Sequence, residues 1–254
     1  MPEGDTIFRA ARTLDRALAG KIVTRFETVL PKLARVDDQT PLRGRKVERV
    51  TSSGKHLIIE FSGELFLRTH LRMNGSWHLY RAGERWRKRR DDMRLVIATE
   101  DFEAVGFNIP VAEFDGVGAG FSRPDRLKPV HTLGPDLLAE QFDADETLRR
   151  LRERETAEIG EVLLNQHVVA GIGNIYKSEV LFECGVSPFK KVSELDEETL
   201  RRIMKKGRAM LQRSTRERPR WSVYQRGGQP CRKCGTAIQR QGLRSTYWCP
   251  KCQK

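Results

Sequence analysis

The chain has 254 residues, of which 47 are Lys or Arg and 34 are Asp or Glu, giving a formal net charge of +13. Its length allows two modest domains, and its 38% of hydrophobic residues argues against a disordered tail. No apolar run has membrane-spanning length, and the start MPEGDTIFRA lacks a secretory signal. We therefore expect a cytosolic protein with no membrane partner. The excess of positive charge favours nucleic acid as the partner.

The first predicted element is a helix over Asp5–Leu18, because Ile7, Phe8, Ala11, Leu14 and Leu18 form one apolar stripe. From about Lys21 to Phe114, short alternating runs between turn residues predict the antiparallel strands of a β-sandwich or barrel. These runs are KVERVTSS, HLIIEFSG, ELFLRTHL, GSWHLY, MRLVIATE and FEAVGF.

Residues 115–135 are rich in Gly and Pro and predict a domain boundary, after which the pattern becomes helical. Asp143 and Glu146 form a capping-box pattern for a helix to about Arg154. Three further helices are predicted over EIGEVLLNQ, NIYKSEVLFEC and DEETLRRIMKKGRAMLQ. The chain is thus predicted to be α+β, with a sandwich domain over 1–114, a linker over 115–138, a helical domain over 139–226 and a cysteine-rich module over 227–254.

Four of the five cysteines lie in this last module, as Cys231-x2-Cys234 and Cys249-x2-Cys252 separated by fourteen residues. Two such pairs can place four thiolates around one Zn²⁺, so we predict a single structural zinc ion. The module could be a structural staple, or it could contact DNA through Arg240 and Arg244. Sequence patterns leave both readings open.

Two further segments suggest anion binding and nucleophilic catalysis. The glycine-rich turn Ala170–Asn174 lies between two predicted helices, and the free N–H groups at the start of the second helix favour an anion such as phosphate. A plain interhelical turn is the alternative. At the start of the chain, removal of Met1 would leave Pro2 with a free secondary amine, a nucleophile for a sugar C1′, and Glu3 beside it could transfer protons.

In their combination and order, these segments resemble the formamidopyrimidine-DNA glycosylase/endonuclease VIII family. The matching segments are PEG, SSGKHL, HLRMNGSW, LGPDLL, LLNQHVVAGIGNIYKSEVLF and CRKCGTAIQRQGLRSTYWCPKCQ. They run through the whole chain. The resemblance implies a β-sandwich domain, a helix–two-turn–helix domain and a zinc finger, with damaged DNA in the cleft between the domains.

The resemblance also implies roles for individual residues. Pro2 matches the nucleophile, Glu3 the proton-transfer acid, and Lys55 completes the expected catalytic set as a residue that grips a phosphate near the lesion. Phosphate contacts are implied for His70, Asn174 and Arg244. The loop Arg72, Met73 and Asn74 matches the segment that fills the gap left by an extruded base, and Phe107 matches a second wedge.

The implied reaction removes an oxidised base through a Schiff base on Pro2 and cuts the strand by β,δ-elimination. Val105 stands where the 8-oxoguanine branch has Arg, and the segment Ser214–Pro230 is short, so we predict a preference for oxidised pyrimidines. An 8-oxoguanine or formamidopyrimidine enzyme of the same family is the alternative. A non-catalytic zinc-finger DNA-binding protein is the alternative from another class, and a strand cut distinguishes it from the enzyme.

Overall fold

The computed structural model describes residues 2–116, 127–242 and 245–254. The chain divides into two compact units, one of Met1–Pro2 with Thr6–His131 and one of Glu3–Asp5 with Thr132–Lys254. Part of the predicted linker 115–138 lies outside the described residues, and the predicted domain limits stay a prediction. Within the described ranges, no helix is long and apolar enough to cross a membrane.

The first unit is built mainly from β-strands. Its elements are α1 (Gly4–Leu18), β1 (Arg25–Thr28), α2 (Pro31–Gln39), β2 (Val47–Ser53), β3 (His56–Phe61), β4 (Leu65–His70), β5 (Ser76–Arg81), β6 (Met93–Ala98), β7 (Phe102–Phe107), β8 (Val111–Gly116) and α3 (Lys128–His131). All strand pairs in it are antiparallel, in two four-stranded sheets of order β1-β6-β7-β5 and β2-β3-β4-β8.

Alternation along the strands produces the core of this unit. Leu57, Ile59 and Phe61 on β3 are fully or almost fully buried in one cluster. This cluster includes the predicted apolar stripe of α1 except for Phe8, which is half-buried and lies outside it. On β7 the alternation serves two clusters, because Ala104 enters the main core whereas Val105 enters a second cluster on the other face of its sheet. The predicted sandwich is therefore confirmed.

Three elements of this unit lack a clear sequence signal. Strand β1 has four residues, RFET, of which none is fully buried, so it shows no apolar alternation. Helix α2 starts with Pro31 and buries only Leu33. Strand β8 continues to Gly116, past the predicted domain limit at 114.

The second unit is helical and ends in a ribbon. Its elements are α4 (Ala144–Arg152), α5 (Ile159–Val162), α6 (Asn174–Cys184), α7 (Glu197–Ser214), β9 (Gln239–Gln241) and β10 (Thr246–Trp248). As predicted, Asp143 caps α4 by accepting a hydrogen bond from the Glu146 amide, and α6 ends at Gly185, which has a φ of +69°.

The predicted helix over EIGEVLLNQ was too long, since α5 has a single turn. Polar side chains redirect the backbone after it. Asn165 Oδ1 accepts a hydrogen bond from the His167 amide, and the Gln166 side chain bonds both Ile172 O and the Gly171 amide. These local bonds compete with a helix and fix the glycine-rich turn instead.

The C-terminal ribbon packs on α6. Its buried residues Cys231, Ile238 and Cys249 share a cluster with Phe182 of α6 and with Val223. The Glu179 carboxylate, also on α6 and 2% exposed, accepts hydrogen bonds from the amides of Ser222, Val223 and Tyr224 at 2.7–2.8 Å. A buried carboxylate with three donors thus holds the chain segment that leads into the ribbon.

The four predicted cysteines form a zinc site. Their sulfur atoms all lie within 4.8 Å of one another, with 3.9 Å between Cys231 and Cys252 and 3.5 Å between Cys234 and Cys249. A Zn–S bond of about 2.3 Å in a tetrahedron gives sulfur–sulfur edges of about 3.8 Å. The donor set and its spacing therefore fit one structural zinc ion, as the sequence predicts.

We expect Cys252→Ser to abolish the binding of one zinc ion per chain and to expose the amides of residues 228–254 to hydrogen exchange, because metal binding and ribbon folding are coupled. Released zinc can be measured with a colorimetric chelator, and exchange by mass spectrometry. Cys184→Ser is the matched control, since this cysteine lies outside the four-thiol cluster. Normal zinc content in Cys252→Ser, or equal loss in the control, would contradict the assignment.

Candidate active site

The Glu3 carboxylate is the most enclosed acidic group near the start of the chain, with 0% exposure. It accepts hydrogen bonds from the backbone amides of Gly173 at 2.9 Å, Ile175 at 2.7 Å and Tyr176 at 3.3 Å. These amides form the N-terminus of α6, where the helix dipole favours a negative charge. The arrangement stabilises the ionised form of the carboxylate and joins residues that are 170 positions apart in sequence.

Two glycines allow this close approach. A Cβ atom at Gly173 would lie 2.3 Å from Glu3 Cδ, and a Cβ atom at Gly4 would lie 2.9 Å from Gly171 Cα. The Gly4 amide also donates to Gly171 O at 3.0 Å. The PEG and GIGN motifs are therefore two halves of one contact, in which side chains would separate the backbones.

The sequence predicts an anion such as phosphate at the N-terminus of α6, and a phosphate contact at Asn174 stays a prediction. The anion on these amides is the Glu3 carboxylate, so the three N–H groups that it occupies are not available to a phosphate. Asn174 itself uses Nδ2 to donate to Ser245 O at 3.1 Å. Its buried Oδ1 has no hydrogen-bond partner within the described part of the chain.

Sequence reasoning missed two groups beside Glu3. Asp5 is 6% exposed and Tyr176 is 1% exposed. Burial raises the pKa of the Tyr176 phenol, and the charges of Asp5 and Glu3 raise it further, so the phenol stays neutral. Asp5 thus supplies a second buried acid near the start of the chain.

Pro2 is covalently joined to Glu3 and is partly exposed. Its Cα lies about 3.8 Å from that of Glu3 across a trans peptide bond, so a fixed Glu3 restricts the position of the Pro2 nitrogen. Met1 lies outside the described residues, and its removal stays a prediction. With Met1 absent, this nitrogen is a secondary amine next to an ionised carboxylate.

In the first unit, the predicted residues Lys55, His70 and the loop Arg72–Asn74 lie at one end of the sandwich, which we call the wedge end. Here β2 turns into β3, with His56 paired to His70 across β3 and β4. The two imidazole rings meet edge to face with 4.9 Å between centroids. His70 Nδ1 accepts a hydrogen bond from the Arg72 amide at 3.1 Å, so a neutral His70 carries its proton on Nε2.

Both histidines are neutral at pH 7. Burial lowers the pKa of His56 to about 3, and the positive charges of Arg68 and Lys55, with that of His70 once it is protonated in acid, add to that effect. The pKa of His70 falls to about 4, also mainly through burial and then through Arg72, Lys55 and Arg68. His70 can therefore donate a hydrogen bond from Nε2 without carrying a charge.

Arg68 supports this pair, although no pattern in the sequence identifies it. Its side chain, only 8% exposed, contacts His56 Nδ1 at 3.0 Å and forms an ion pair with Glu113 on β8. The contact fixes the His56 ring, because a guanidinium donates and leaves Nδ1 as the acceptor. His56, in turn, packs against the ring of His70.

The predicted wedge loop is exposed and conformationally unusual. Met73 is 64% exposed, and Arg72 has a φ of +47° in the left-handed region, which non-glycine residues rarely adopt. Arg72, Met73 and Asn74 line a groove of about 580 Å³ together with Arg94, Asn108, Ile109 and Pro110. An exposed apolar tip between two polar side chains is suited to insertion between bases.

Phe107 requires a correction, because it cannot act as the predicted second wedge. It is 0% exposed and packs edge to face against His78 and Trp86, with centroid distances of 5.2 and 5.8 Å. Strand alternation directs it, with Val105, into the second cluster of the first unit. The predicted phosphate contact at Arg244 lies outside the described residues.

Comparison with protein families gives three matches in chain order. The N-terminal domain of formamidopyrimidine-DNA glycosylase matches residues 1–108, the helix–two-turn–helix domain of the same glycosylase matches residues 133–221, and the zinc finger found in this glycosylase and in isoleucyl-tRNA synthetase matches residues 228–254.

Individual relatives agree with these matches. The Streptomyces coelicolor protein named "Probable endonuclease 8 2" is 39% identical over 100% of this chain and 94% of its own length. The Mycolicibacterium smegmatis protein named "DNA-(apurinic or apyrimidinic site) lyase Nei2" is 36% identical over 100% of this chain and 99% of its own length.

Among solved structures, formamidopyrimidine-DNA glycosylase of Lactococcus lactis, non-covalently bound to DNA with an AP site, superposes with a TM-score of 0.84. That protein is 25% identical to this chain, and each chain is covered completely. The chain belongs to the formamidopyrimidine-DNA glycosylase/endonuclease VIII family.

Proposed function

We propose that this protein is a DNA glycosylase with AP lyase activity, which removes oxidised bases through a covalent bond from Pro2. The observation that carries the proposal is the Glu3 carboxylate, fully buried on the N-terminus of α6 and joined directly to Pro2. This contact requires glycine at two positions, 4 and 173, because a Cβ atom at either would be too close to its neighbours. The names of the relatives, endonuclease 8 and AP lyase, agree with this activity.

In the proposed reaction the Pro2 nitrogen attacks the sugar C1′, and the base leaves with the electrons of the glycosidic bond and gains a proton. The C1′–O4′ bond then opens to give an iminium ion. This cation acidifies the C2′ hydrogens, so that β-elimination expels the 3′ phosphate and δ-elimination expels the 5′ phosphate. An amine nucleophile thereby divides one difficult cleavage into easier steps.

The structure supports a specific role for Glu3. Three amide donors favour its ionised form, which accepts protons and stabilises an adjacent positive charge. We therefore propose that Glu3 stabilises the iminium on Pro2 and receives the proton that the amine releases. The same proton can then pass from Glu3 to O4′ as the sugar ring opens, which returns Glu3 to the ionised form that these donors favour.

The phosphates next to the lesion are assigned to polar groups of both units. We propose contacts by Lys55 and by the Nε2–H of neutral His70 in the first unit, and by Asn174 in the second. Asn174 would contact a phosphate as a donor, because its Nδ2 carries two hydrogens and donates one of them to Ser245 O. Arg72, Met73 and Asn74 are proposed to fill the gap in the duplex, which offsets the cost of extruding the nucleotide, about a few kcal/mol.

Oxidised pyrimidines are the proposed substrates. The segment Ser214–Pro230 ahead of the zinc finger is short, whereas the 8-oxoguanine branch has a longer segment there. The more similar relatives carry the name endonuclease 8, whereas the formamidopyrimidine-DNA glycosylase of Corynebacterium jeikeium is 29% identical. We further propose that the protein acts as a monomer in the bacterial cytosol, at the nucleoid.

Borohydride trapping tests the proposed chemistry. With a duplex that carries thymine glycol, we expect the wild type to form a covalent adduct that survives a denaturing gel, and Pro2→Gly to form little or none. An 8-oxoguanine duplex should give a weaker band. Intact mass must first establish that Met1 is absent, since a retained Met1 would turn the amine into an amide.

Absence of an adduct and of strand cutting on thymine glycol, 8-oxoguanine and a plain abasic site would overturn the enzyme in favour of a DNA-binding protein. A stronger adduct on 8-oxoguanine would leave the lyase intact and reverse the proposed substrate preference.

The close contact between Glu3 and Gly173 predicts that adding one methyl group at residue 173 lowers activity. Gly173→Ala should reduce strand cutting by about 100-fold or more, because its Cβ displaces the carboxylate that the proton transfer needs. Gly207→Ala is the matched control: it is a buried helical glycine whose Cβ would find neighbours at 3.6–3.7 Å, ordinary contact distances. Single-turnover cutting by Gly173→Ala at the rate of the control would show that Glu3 is not needed in this position.

The proposed role of His70 predicts that it stays neutral in mild acid. Histidine ¹H–¹⁵N spectra should show the Nε2–H form of His70 at pH 5.5, where an unperturbed imidazole is mostly protonated. Because the folded pKa values of His56 and His70 lie below the usual 6.5, the unfolded chain binds more protons, and stability must fall as pH drops from about 6.5 towards 4.

His56→Gln should reduce this loss of stability, measured by urea unfolding at several pH values, whereas the same change at exposed His131 should not. Equal pH dependence in wild type and His56→Gln would contradict the assignment of the acid-sensitive group.

A further inference from the structure

The loop between β5 and β6, residues 82–92, is a basic segment that the proposed chemistry does not use. From Arg81 to Arg94 the chain has seven basic and three acidic residues. Charge runs of this kind are often mobile and solvated, but here the loop is anchored. The Trp86 indole donates to the Glu103 carboxylate at 3.0 Å and packs against Phe107, so the loop covers the second cluster of the first unit.

The same aromatic cluster orders the cations of the loop. The Arg87 guanidinium lies 5.6 Å from the centroid of Tyr80, and the Lys88 ammonium lies 5.8 Å from that of Phe107. Lys88 also donates to Ser76 Oγ at 3.0 Å. Within the described residues, no carboxylate lies in ion-pair range of Arg87 or Lys88. Cations that are ordered but not neutralised lose little side-chain entropy when they bind an anion.

The strand register shows where these cations lie. Arg81 pairs with Phe102 at one end of the sheet, and Ser76 pairs with Phe107 at the other, so the loop crosses the outer face of the sheet and returns to the wedge end. Its last residues sit beside the wedge loop, because the Asn108 amide donates to Asp92 O and Asn108 lines the groove of Arg72–Asn74. Lys88, bonded to Ser76, and Arg89 lie on this returning part of the loop, whereas the guanidinium of Arg90, which follows them, is paired with Glu27.

We infer that this part of the loop, Lys88 and Arg89, is a second DNA-binding surface that contacts backbone phosphates flanking the lesion. The inference rests on the proposed function, which places DNA at the wedge loop. Two features favour phosphate over an acidic protein surface: continuity with the wedge loop, and cations on an ordered scaffold in an otherwise strongly basic chain. The surface contributes affinity and does not take part in the chemistry.

The positive charge of Arg89 is partly neutralised by a neighbouring carboxylate. Its guanidinium pairs with Asp91 at 2.8 Å, and both side chains are about four-fifths exposed, at 81% and 79%. Such an exposed pair is weak and exchanges readily for a phosphate. Asp91 itself repels a phosphate at this position, which predicts that its neutralisation strengthens binding.

The test measures the affinity for a duplex with a tetrahydrofuran abasic analogue over a series of KCl concentrations. The double variant Lys88→Met/Arg89→Ala should bind more weakly, and the slope of log K against log salt should become shallower by about 0.9 for each lost phosphate contact. Asp91→Asn should bind more tightly than wild type. The control double variant Arg81→Ala/Arg85→Ala removes the same charge at the far end of the loop and should change the slope little.

Equal slopes for the two double variants, or weaker binding by Asp91→Asn, would overturn the inference. Unchanged DNA binding by all three variants would also overturn it, and would favour an acidic protein as the partner of this loop. Thermal unfolding checks that the variants fold. Borohydride trapping of the wild type separates this inference from the proposed function. A trapped imine with unaltered salt slopes refutes the surface alone, whereas altered slopes without a trapped imine refute the lyase alone.

Discussion

The interaction on which the account depends is the one between the Glu3 carboxylate and the N-terminus of α6. A carboxylate with 0% exposure is costly unless donors compensate for its lost hydration, and three backbone amides do so here. The chain thereby fastens its own start to a helix that begins at residue 174. Because Pro2 precedes Glu3, this contact also restricts the position of the nitrogen that we propose as the nucleophile.

The same device occurs a second time on α6. Glu179 accepts three backbone amides from residues 222–224, just as Glu3 accepts three from the helix itself. Between the two carboxylates, Lys177 Nζ donates to Thr246 Oγ1 of β10 at 2.7 Å. At the C-terminal end, Gly185 O accepts from the Lys254 amide at 3.0 Å. One eleven-residue helix therefore organises the second unit, from the start of the chain to its last residue.

Sequence reasoning succeeded where local pattern and local chemistry coincide. Strand alternation predicted β2 to β7, and the spacing of the four cysteines predicted the zinc site, because these signals depend on neighbouring residues. It failed where tertiary contacts decide. The anion for the GIGN turn is supplied by Glu3, far away in sequence, and no local signal identifies it. Arg68 reads as an ordinary strand residue until β8 brings Glu113 beside it.

The two predicted wedge residues show the same difference between what local sequence predicts and what tertiary contacts decide. Met73 lies on an exposed loop as expected, but Phe107 is buried, because strand parity and the indole of Trp86 determine its environment. A family resemblance transfers a residue type to a position and cannot report what covers it. The basic β5–β6 loop is the converse case: its composition suggested a solvated segment, and its aromatic anchors showed an ordered one.

The central claim is that the amine fixed by Glu3, and no lysine, forms the covalent bond to DNA. Mass spectrometry of the borohydride-reduced complex, after digestion of both protein and DNA, tests it directly. The account predicts that the sugar remnant is found on the N-terminal peptide, at the nitrogen of Pro2. A remnant on the peptide that contains Lys55, or on any other lysine, would contradict it.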